Sequence, residues 1–388
     1  MTRFGFPGWR RVALPFGLGA AMALGQAPLG WWFVTVPALG LLLRVLSGVG
    51  PREGIWLGWF AGGGYFLLAL SWIVNPFFVD AARDAWMAPF ALVFLAFGMA
   101  LFWAAACGIA LRSRAPVLGL VTALATAELT RGYVLTGFPW ALIGHVWIDW
   151  APAQVASLIG PSGLTLLTLG IGGLLAVRRW VPAAVLLAAM WGFGVWALAQ
   201  PLPAPPGVTL RLVQPDAPQD TKWDATHAQD YFDRLIYATG APGKVDLVIW
   251  PETALPYLVN DNPDLPAMIG NAGNGALVAV GLQRVADGRG WNAMQVFGPD
   301  GAVRASYDKH HLVPFGEYYP GGDLLYDWIG LAAFSAKAGN AYSMGPGPAV
   351  LDLGGKLGKV MPLICYEAVF PQDLRGPTRP GWLLQITN

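Results

Sequence analysis

Several long stretches of this chain carry no charge, and they all lie in its first 200 residues. Residues 12–43, 54–79, 85–111, 151–177 and 180–200 contain no Lys, Arg, Asp or Glu. A helix needs about 20 apolar residues to cross a hydrocarbon layer about 30 Å thick, and only a helix or a closed barrel satisfies its own backbone there. Pro28 divides the first stretch into two short spans joined by a tight turn. Residues 116–130 form a shorter candidate, with Glu128 near one end. The reading is a membrane bundle of about seven helices over 1–200. Arg10 and Arg11 before the first span imitate a signal peptide, but a second apolar span follows where a polar mature chain would begin.

Composition agrees with a membrane chain. Only 12% of the 388 residues are charged and 55% are hydrophobic, with 19 Trp, against about 25% charged in an ordinary soluble domain. The formal charge of +1 gives no basic field, which argues against a nucleic-acid partner. Arginine placement orients the bundle. With the N-terminus inside, inner segments carry Arg3, Arg10, Arg11, Arg44, Arg52, Arg112, Arg114, Arg178 and Arg179, and outer loops carry Arg83 and Arg131. This is a strong positive-inside bias. Seven spans then place everything after residue 200 outside the cytoplasm.

The pattern changes after the Pro-rich linker "QPLPAPPGV", whose residues 201–208 separate the two parts. Strand-like runs follow at 209–213, 246–250, 276–282, 293–297, 303–307, 359–365 and 382–387, and 223–237 reads as a helix. "VFGPDGAVRASY" is a hairpin turned by Pro-Asp-Gly. Strands mixed with helices make 209–388 an α/β or α+β domain.

Three ionisable residues fall at the ends of these runs. Glu252 follows "DLVIWP", Lys309 follows "VRASYD" and Cys365 follows "KVMPLI". Strand ends present rigidly held side chains to a crevice. A thiol needs a base to become a nucleophile, a carboxylate supplies one, and an ammonium stabilises an oxyanion and lowers a nearby thiol pKa. Each residue also has a plainer reading: a solvated acid, a surface cation beside Asp308 and His310, and a small buried hydrophobe. The second cysteine, Cys107, lies in an apolar segment, and both are read as free thiols.

The words around these residues decide between the readings. "VIWPETALP", "YDKHHLVPFGEYYP" and "LICYEAVFP" resemble the three signature segments of the carbon–nitrogen hydrolase (nitrilase) superfamily over 209–388. "RGYVLTGFPWALIGH" (131–145) and "TKWD" (221–224) resemble segments of the apolipoprotein N-acyltransferase family, its membrane-embedded branch. The resemblance implies a polytopic helical bundle plus an αββα sandwich. It makes Glu252 the general base, Lys309 the oxyanion-stabilising cation and Cys365 the nucleophile. Glu317 orients the triad, and Trp223, Tyr366 and Glu367 support the site. No cofactor or metal is expected. His310 and His311 are read as structural, and His145 and Glu128 as polar groups facing the bundle interior.

The activity implied is transfer of a fatty acyl chain from a membrane phospholipid, through a Cys thioester, to the α-amino group of a diacylglyceryl-cysteine apolipoprotein. The setting is a bacterial inner membrane, with the catalytic domain on its periplasmic face. Rival readings are a membrane-tethered amidase acting on a small substrate, and a transporter or sensor with a nitrilase-like module. The apolar run "LLYDWIGLAAF" (324–334) is either a substrate gate at the interface or a packed helix. Finally, "GWLLQITN" ends the sequence in or just after a strand. In the resembled family an Ile-Thr-Asn segment runs on into further sandwich and a last span. The expectation is therefore a C-terminally incomplete catalytic domain, poorly stable or inactive by itself.

Overall fold

In the computed structural model, residues 8–218, 221–222, 224, 226–314, 316–318, 342–376 and 378–388 are described. Trp223 and the run 324–334 lie outside the described residues. The chain divides into two compact units, Met1–Leu202 and Pro203–Asn388.

The first unit is helical. Its helices are α1 (Trp9–Ala23), α2 (Trp32–Leu46), α3 (Pro51–Ala69), the single turn α4 (Ala81–Asp84), α5 (Ala88–Ala110), α6 (Pro116–Arg131), α7 (Ala156–Ala176) and α8 (Trp180–Leu198). Among the described residues, Ala81–Ala110, Ala151–Ala176 and Trp180–Leu198 are long and apolar enough to cross a membrane. A fourth span arises if α3 and the 3-10 segment Ser71–Phe78, bent 48° from it, count as one. Helices α1, α2 and α6 run only 15, 15 and 16 residues. A helix lies at each of the seven sequence positions expected for a span.

Small residues let these helices approach closely. A Cβ on Gly64 of α3 would stand 2.1 Å from the Phe16 carbonyl oxygen of α1. In lipid, where apolar burial between helices gains little, such backbone contact is what packs them. Glu128 turns into the bundle, as expected for it. It accepts from Trp103 Nε1 at 2.6 Å and from Arg131 Nη2 at 2.6 Å. Arg131 also donates to the carbonyls of Phe138 and Trp140. The arginine assigned to an outer loop is thus a buried partner of Glu128, tying the "GFPW" loop to α6.

The second unit is a layered α/β structure. Five strands form one sheet in sequence order: β1 (Leu210–Leu212), β2 (Leu247–Ile249), β3 (Leu277–Ala286), β4 (Arg289–Phe297) and β5 (Val303–Asp308). The first three are parallel, and β3–β4–β5 are antiparallel. A second sheet holds β6 (Leu351–Asp352), β7 (Lys359–Ile364) and β8 (Trp382–Ile386), with β7 central. Alternation along the strands separates two cores. Val248, Trp250, Val278 and Val280 face α9 (Ala228–Thr239) and α10 (Leu265–Ala272), packing with Phe232, Leu235 and Ile269. Leu247, Ile249, Ala279 and Met294 face the other way, against Val360, Ile364, Leu384 and Ile386. Among the described residues the order helix, sheet, sheet gives three of the four layers of the expected nitrilase-like αββα sandwich.

Helix α9 begins five residues later than the expected 223–237. Asp224 Oδ1 accepts the Thr226 backbone N–H at 2.9 Å, an Asx turn that occupies the backbone before the helix starts.

Candidate active site

Three strand ends converge. Lys309 directly follows β5 and Cys365 directly follows β7, while Glu252 stands three residues beyond β2. Cys365 has φ +55° and Thr253, next to Glu252, has φ +44°. Both are left-handed conformations that cost a non-glycine residue about 1 kcal/mol or more, and such strain clusters at functional sites. Gly281 of β3 makes room for the Glu252 turn, since a Cβ there would lie 2.1 Å from the Pro251 carbonyl oxygen and 2.7 Å from Glu252 Cα. The Gly281 carbonyl accepts the Ala254 N–H at 2.9 Å, fixing the turn to the sheet.

The structure brings Glu252, Lys309, Glu317, Cys365 and Tyr366 together. Lys309 is 1% exposed. Its Nζ lies 2.9 and 2.8 Å from the two oxygens of Glu317, but 3.9 Å from Glu252 Oε1. The Tyr366 ring sits 5.2 Å from the same ammonium, and its hydroxyl donates to the Leu312 carbonyl. The Glu252 carboxylate stands close enough to the Cys365 thiol to raise its pKa.

Sequence reasoning missed Asn292, in mid-β4 and 2% exposed. Its Nδ2 donates to Glu252 Oε1 at 2.7 Å and to Glu317 Oε1 at 2.9 Å, and its backbone carbonyl accepts the Lys309 N–H at 2.9 Å. A mid-strand asparagine on an inward-facing position was the available signal. Lys222, quoted only as part of "TKWD", was missed as well. It is buried, and its Nζ donates to Thr253 Oγ1 at 2.9 Å.

Glu367 stands behind the site rather than in it. Fully buried, it accepts the backbone N–H groups of Ile364, His310 and His311 at 2.8, 2.9 and 3.1 Å, and the Tyr307 hydroxyl at 3.0 Å. It thereby joins the end of β7 to the segment after Lys309. His310 Nδ1 lies 2.9 Å from Glu367, and His311 Nδ1 lies 2.6 Å from Asp373. Both histidines thus lie against carboxylates behind the site.

Electrostatics adds to one expectation. Lys309 lowers the thiol pKa as expected, but other causes outweigh it and Cys365 is pushed up to about 11. Burial is the largest cause, Glu252 adds to it, and Glu317 and the Glu252 hydrogen bond add more; Lys309 opposes them and loses. Burial alone would lower the Lys309 pKa, but Glu317, Cys365 and Glu252 outweigh it and raise the value, so the ammonium persists. The resting site therefore holds a protonated thiol beside a fixed cation. At pH 7 a thiol at about 11 ionises in about one molecule in 10⁴. A base must take its proton as it attacks.

Comparison with known proteins agrees with this geometry. Residues 209–386 match the family "Carbon-nitrogen hydrolase", so the strand-end thiol, carboxylate and lysine sit in a domain of that class. Residues 18–174 match the "Apolipoprotein N-acyltransferase N-terminal domain". The apolipoprotein N-acyltransferase of Caulobacter vibrioides is 39% identical over 100% of this chain and 78% of its own length. That of Rhodopseudomonas palustris is 35% identical, covering 98% of this chain and 78% of its own. The Allorhizobium ampelinum protein of the same name is 33% identical over the same shares. The chain belongs to the apolipoprotein N-acyltransferase family, and it is a membrane protein and an acyltransferase.

Proposed function

We propose that this chain moves a fatty acyl chain from a membrane phospholipid to the α-amino group of a diacylglyceryl-cysteine apolipoprotein, through a thioester on Cys365. The single observation that carries the reading is the convergence of the half-buried Cys365 thiol, the Glu252 carboxylate and the buried Lys309 ammonium just past three strands. Glu252 takes the thiol proton as sulfur attacks the ester carbonyl. Lys309, held by Glu317, faces the oxyanion that forms. The C–O bond then breaks, and the lysophospholipid leaves with the proton from Glu252. The acceptor amine attacks the thioester and gives its proton to Glu252. The C–S bond breaks, and the departing thiolate regains that proton. One carboxylate alternates between base and acid, as covalent acyl transfer requires. Glu317 holds Lys309, and Glu367 fixes the backbone that carries both Lys309 and Cys365. Trp223 and Tyr366 complete the support of the site.

The proposed layout is a bundle of about seven spans over 1–200, a linker at 201–208 and a catalytic domain over 209–388. That domain lies on the periplasmic face of a bacterial inner membrane. The arginine bias supports this orientation, and burial of Arg131 against Glu128 removes one of the two opposing charges. A periplasm-active reporter fused at the linker is expected to be active.

The mechanism is tested by intact mass after incubation with phospholipid alone. One acyl adduct on Cys365, released by hydroxylamine, is expected. Cys365→Ala should show none and transfer nothing. Full transfer without any adduct on the wild type would overturn the covalent mechanism.

A further inference from the structure

Lys222 is a second buried ammonium beside the site, and the mechanism above gives it no task. It is 9% exposed. Nζ donates to Thr253 Oγ1 at 2.9 Å and to the Glu252 backbone carbonyl at 3.4 Å. Asn388 Nδ2 approaches the same carbonyl at 3.5 Å. Thr253 is the left-handed residue of the turn that aims Glu252. Lys222, Thr253, Tyr231, Pro215 and Asn388 line a water-sized cavity on that side of the turn. The segment carrying Lys222 is itself anchored. Its backbone N–H donates to the Pro218 carbonyl at 2.8 Å, and Thr221 Oγ1 lies 2.7 Å from the Tyr231 hydroxyl of α9.

A buried lysine is costly unless its charge is answered. Here two oxygens of one strained turn accept from it, and the Glu252 carboxylate and the Cys365 thiol lie within its electrostatic reach. The charges of the site then balance. Lys309 lies 2.8 Å from Glu317 but 3.9 Å from Glu252 Oε1, so Glu317 holds the larger share of that cation. Lys222 adds positive charge at the backbone of the Glu252 turn. Burial lowers the Lys222 pKa, and Glu252 and Cys365 oppose that fall.

We propose that Lys222 is a positioning residue for acyl transfer, whose ammonium locks the left-handed Glu252–Thr253 turn and supplies the second positive charge of the site. The proposal rests on the reading of Glu252 as base and Cys365 as nucleophile. Lys222 touches no reacting atom; it acts through the aim of Glu252 and the potential at the thiol.

The test uses the full chain in detergent micelles with Cys107→Ser, so that Cys365 alone reports. Lys222→Met removes the charge and the hydrogen bonds. Lys222→Gln removes the charge and keeps a donor for Thr253, and it carries the test if the Met variant fails to fold. Lys222→Arg keeps the charge. Two readouts are taken: kcat and KM for acyl transfer, and the pH profile of Cys365 alkylation by iodoacetamide without substrate. In the Met variant kcat is expected to fall by about 10²-fold with KM nearly unchanged, the scale of a misplaced general base. In both Met and Gln variants the alkylation profile should move to higher pH by about one unit, because a positive charge near the thiol is gone. Arg should restore most of both. An unmoved alkylation profile in the Gln variant, or Met kcat within about threefold of wild type, overturns the proposal. Failure of the wild type to take up acyl chain from phospholipid would instead count against the transfer mechanism, and the alkylation profile would still judge Lys222.

Discussion

Lys309 belongs to Glu317: its Nζ lies 2.9 and 2.8 Å from the two Glu317 oxygens, while Glu252 Oε1 is 3.9 Å away. Glu317 also accepts the Val313 N–H at 2.9 Å, so the pair is anchored to the segment that carries it. The arrangement keeps the cation from quenching the base. Glu252 is free to serve the thiol, and Lys309 stays fixed by the acid that does no proton transfer. Glu317→Gln should release Lys309 toward Glu252. Acyl transfer is expected to fall by at least about tenfold, the low end for a lost electrostatic stabiliser. Because the Glu317 charge raises the Cys365 pKa, alkylation of the resting enzyme should become faster. Both are read on one protein sample, by transfer assay and by iodoacetamide rate at pH 9.

Glu252→Gln separates catalysis from reactivity more sharply. The Glu252 charge is the leading electrostatic cause, after burial, of a thiol at about 11. Neutralising it lowers that value, so iodoacetamide should alkylate Cys365 faster at pH 9. Acyl transfer should nevertheless drop by at least about 10²-fold, because no base remains to take the proton during attack. Slower alkylation together with lost transfer would mean that Glu252 maintains the fold of the site instead of acting as its base.

The buckle behind the site should make it pH-sensitive. Burial would lower the His310 pKa, but Asp373 and Glu367 outweigh it and raise it to about 9. Burial would raise the Glu367 and Asp373 pKa values, but hydrogen bonds from His310, His311 and the Ile364 backbone outweigh it, and both are lowered. Tyr307, donating to Glu367, and His311, on Asp373, are the other titratable groups facing His310. A raised histidine stabilises fully below its ordinary 6.5, and the effect is lost as pH rises through about 9. The lowered acids stabilise above their ordinary values, and that effect is lost as pH falls. Hydrogen exchange at 307–311 and 360–373, corrected for intrinsic rate, should therefore quicken between pH 6.5 and 9.5. His310→Gln should flatten that slope. A slope unchanged in this variant would assign the effect to another group.

The sequence carried the parts of this structure that follow local rules. Uncharged runs gave the helix positions, and the Pro-Asp-Gly turn gave the β4–β5 hairpin, closed by Gly298 N–H to the Ala302 carbonyl. Strand ends gave Lys309 and Cys365, since a side chain just past a strand is placed by the strand alone. What stayed hidden depends on contacts between distant residues. Asn292 sits inside a strand, where periodicity marks it only as inward-facing; its role appears when β5 and the Glu252 turn close around it. Lys222 is 31 residues from the hydroxyl it binds. The net direction of the Cys365 shift stayed hidden for a related reason. Adjacency of lysine and thiol can be inferred from types and order, but the larger effect of burial cannot.

Asn292 offers the most selective test of the two-carboxylate arrangement. One amide nitrogen serves both acids, at 2.7 Å to Glu252 and 2.9 Å to Glu317. That double donation fixes the amide orientation, because a flipped side chain would set its oxygen against two carboxylates. A donor hydrogen bond favours the charged form of an acid. In Asn292→Ala both carboxylates lose that donor, and Glu252 loses the bond that fixes its aim at the thiol. The loss in kcat should be about tenfold or more with KM little changed, since substrate binding is not the amide's task. Asn292→Asp is nearly the same shape with the opposite effect on charge. It places a third carboxylate in the site, so transfer should fall further than in the Ala variant and Cys365 alkylation at pH 9 should slow. If Asp were tolerated better than Ala, shape and not donation would be what position 292 supplies, and the two acids would have to be held apart by Lys309 alone.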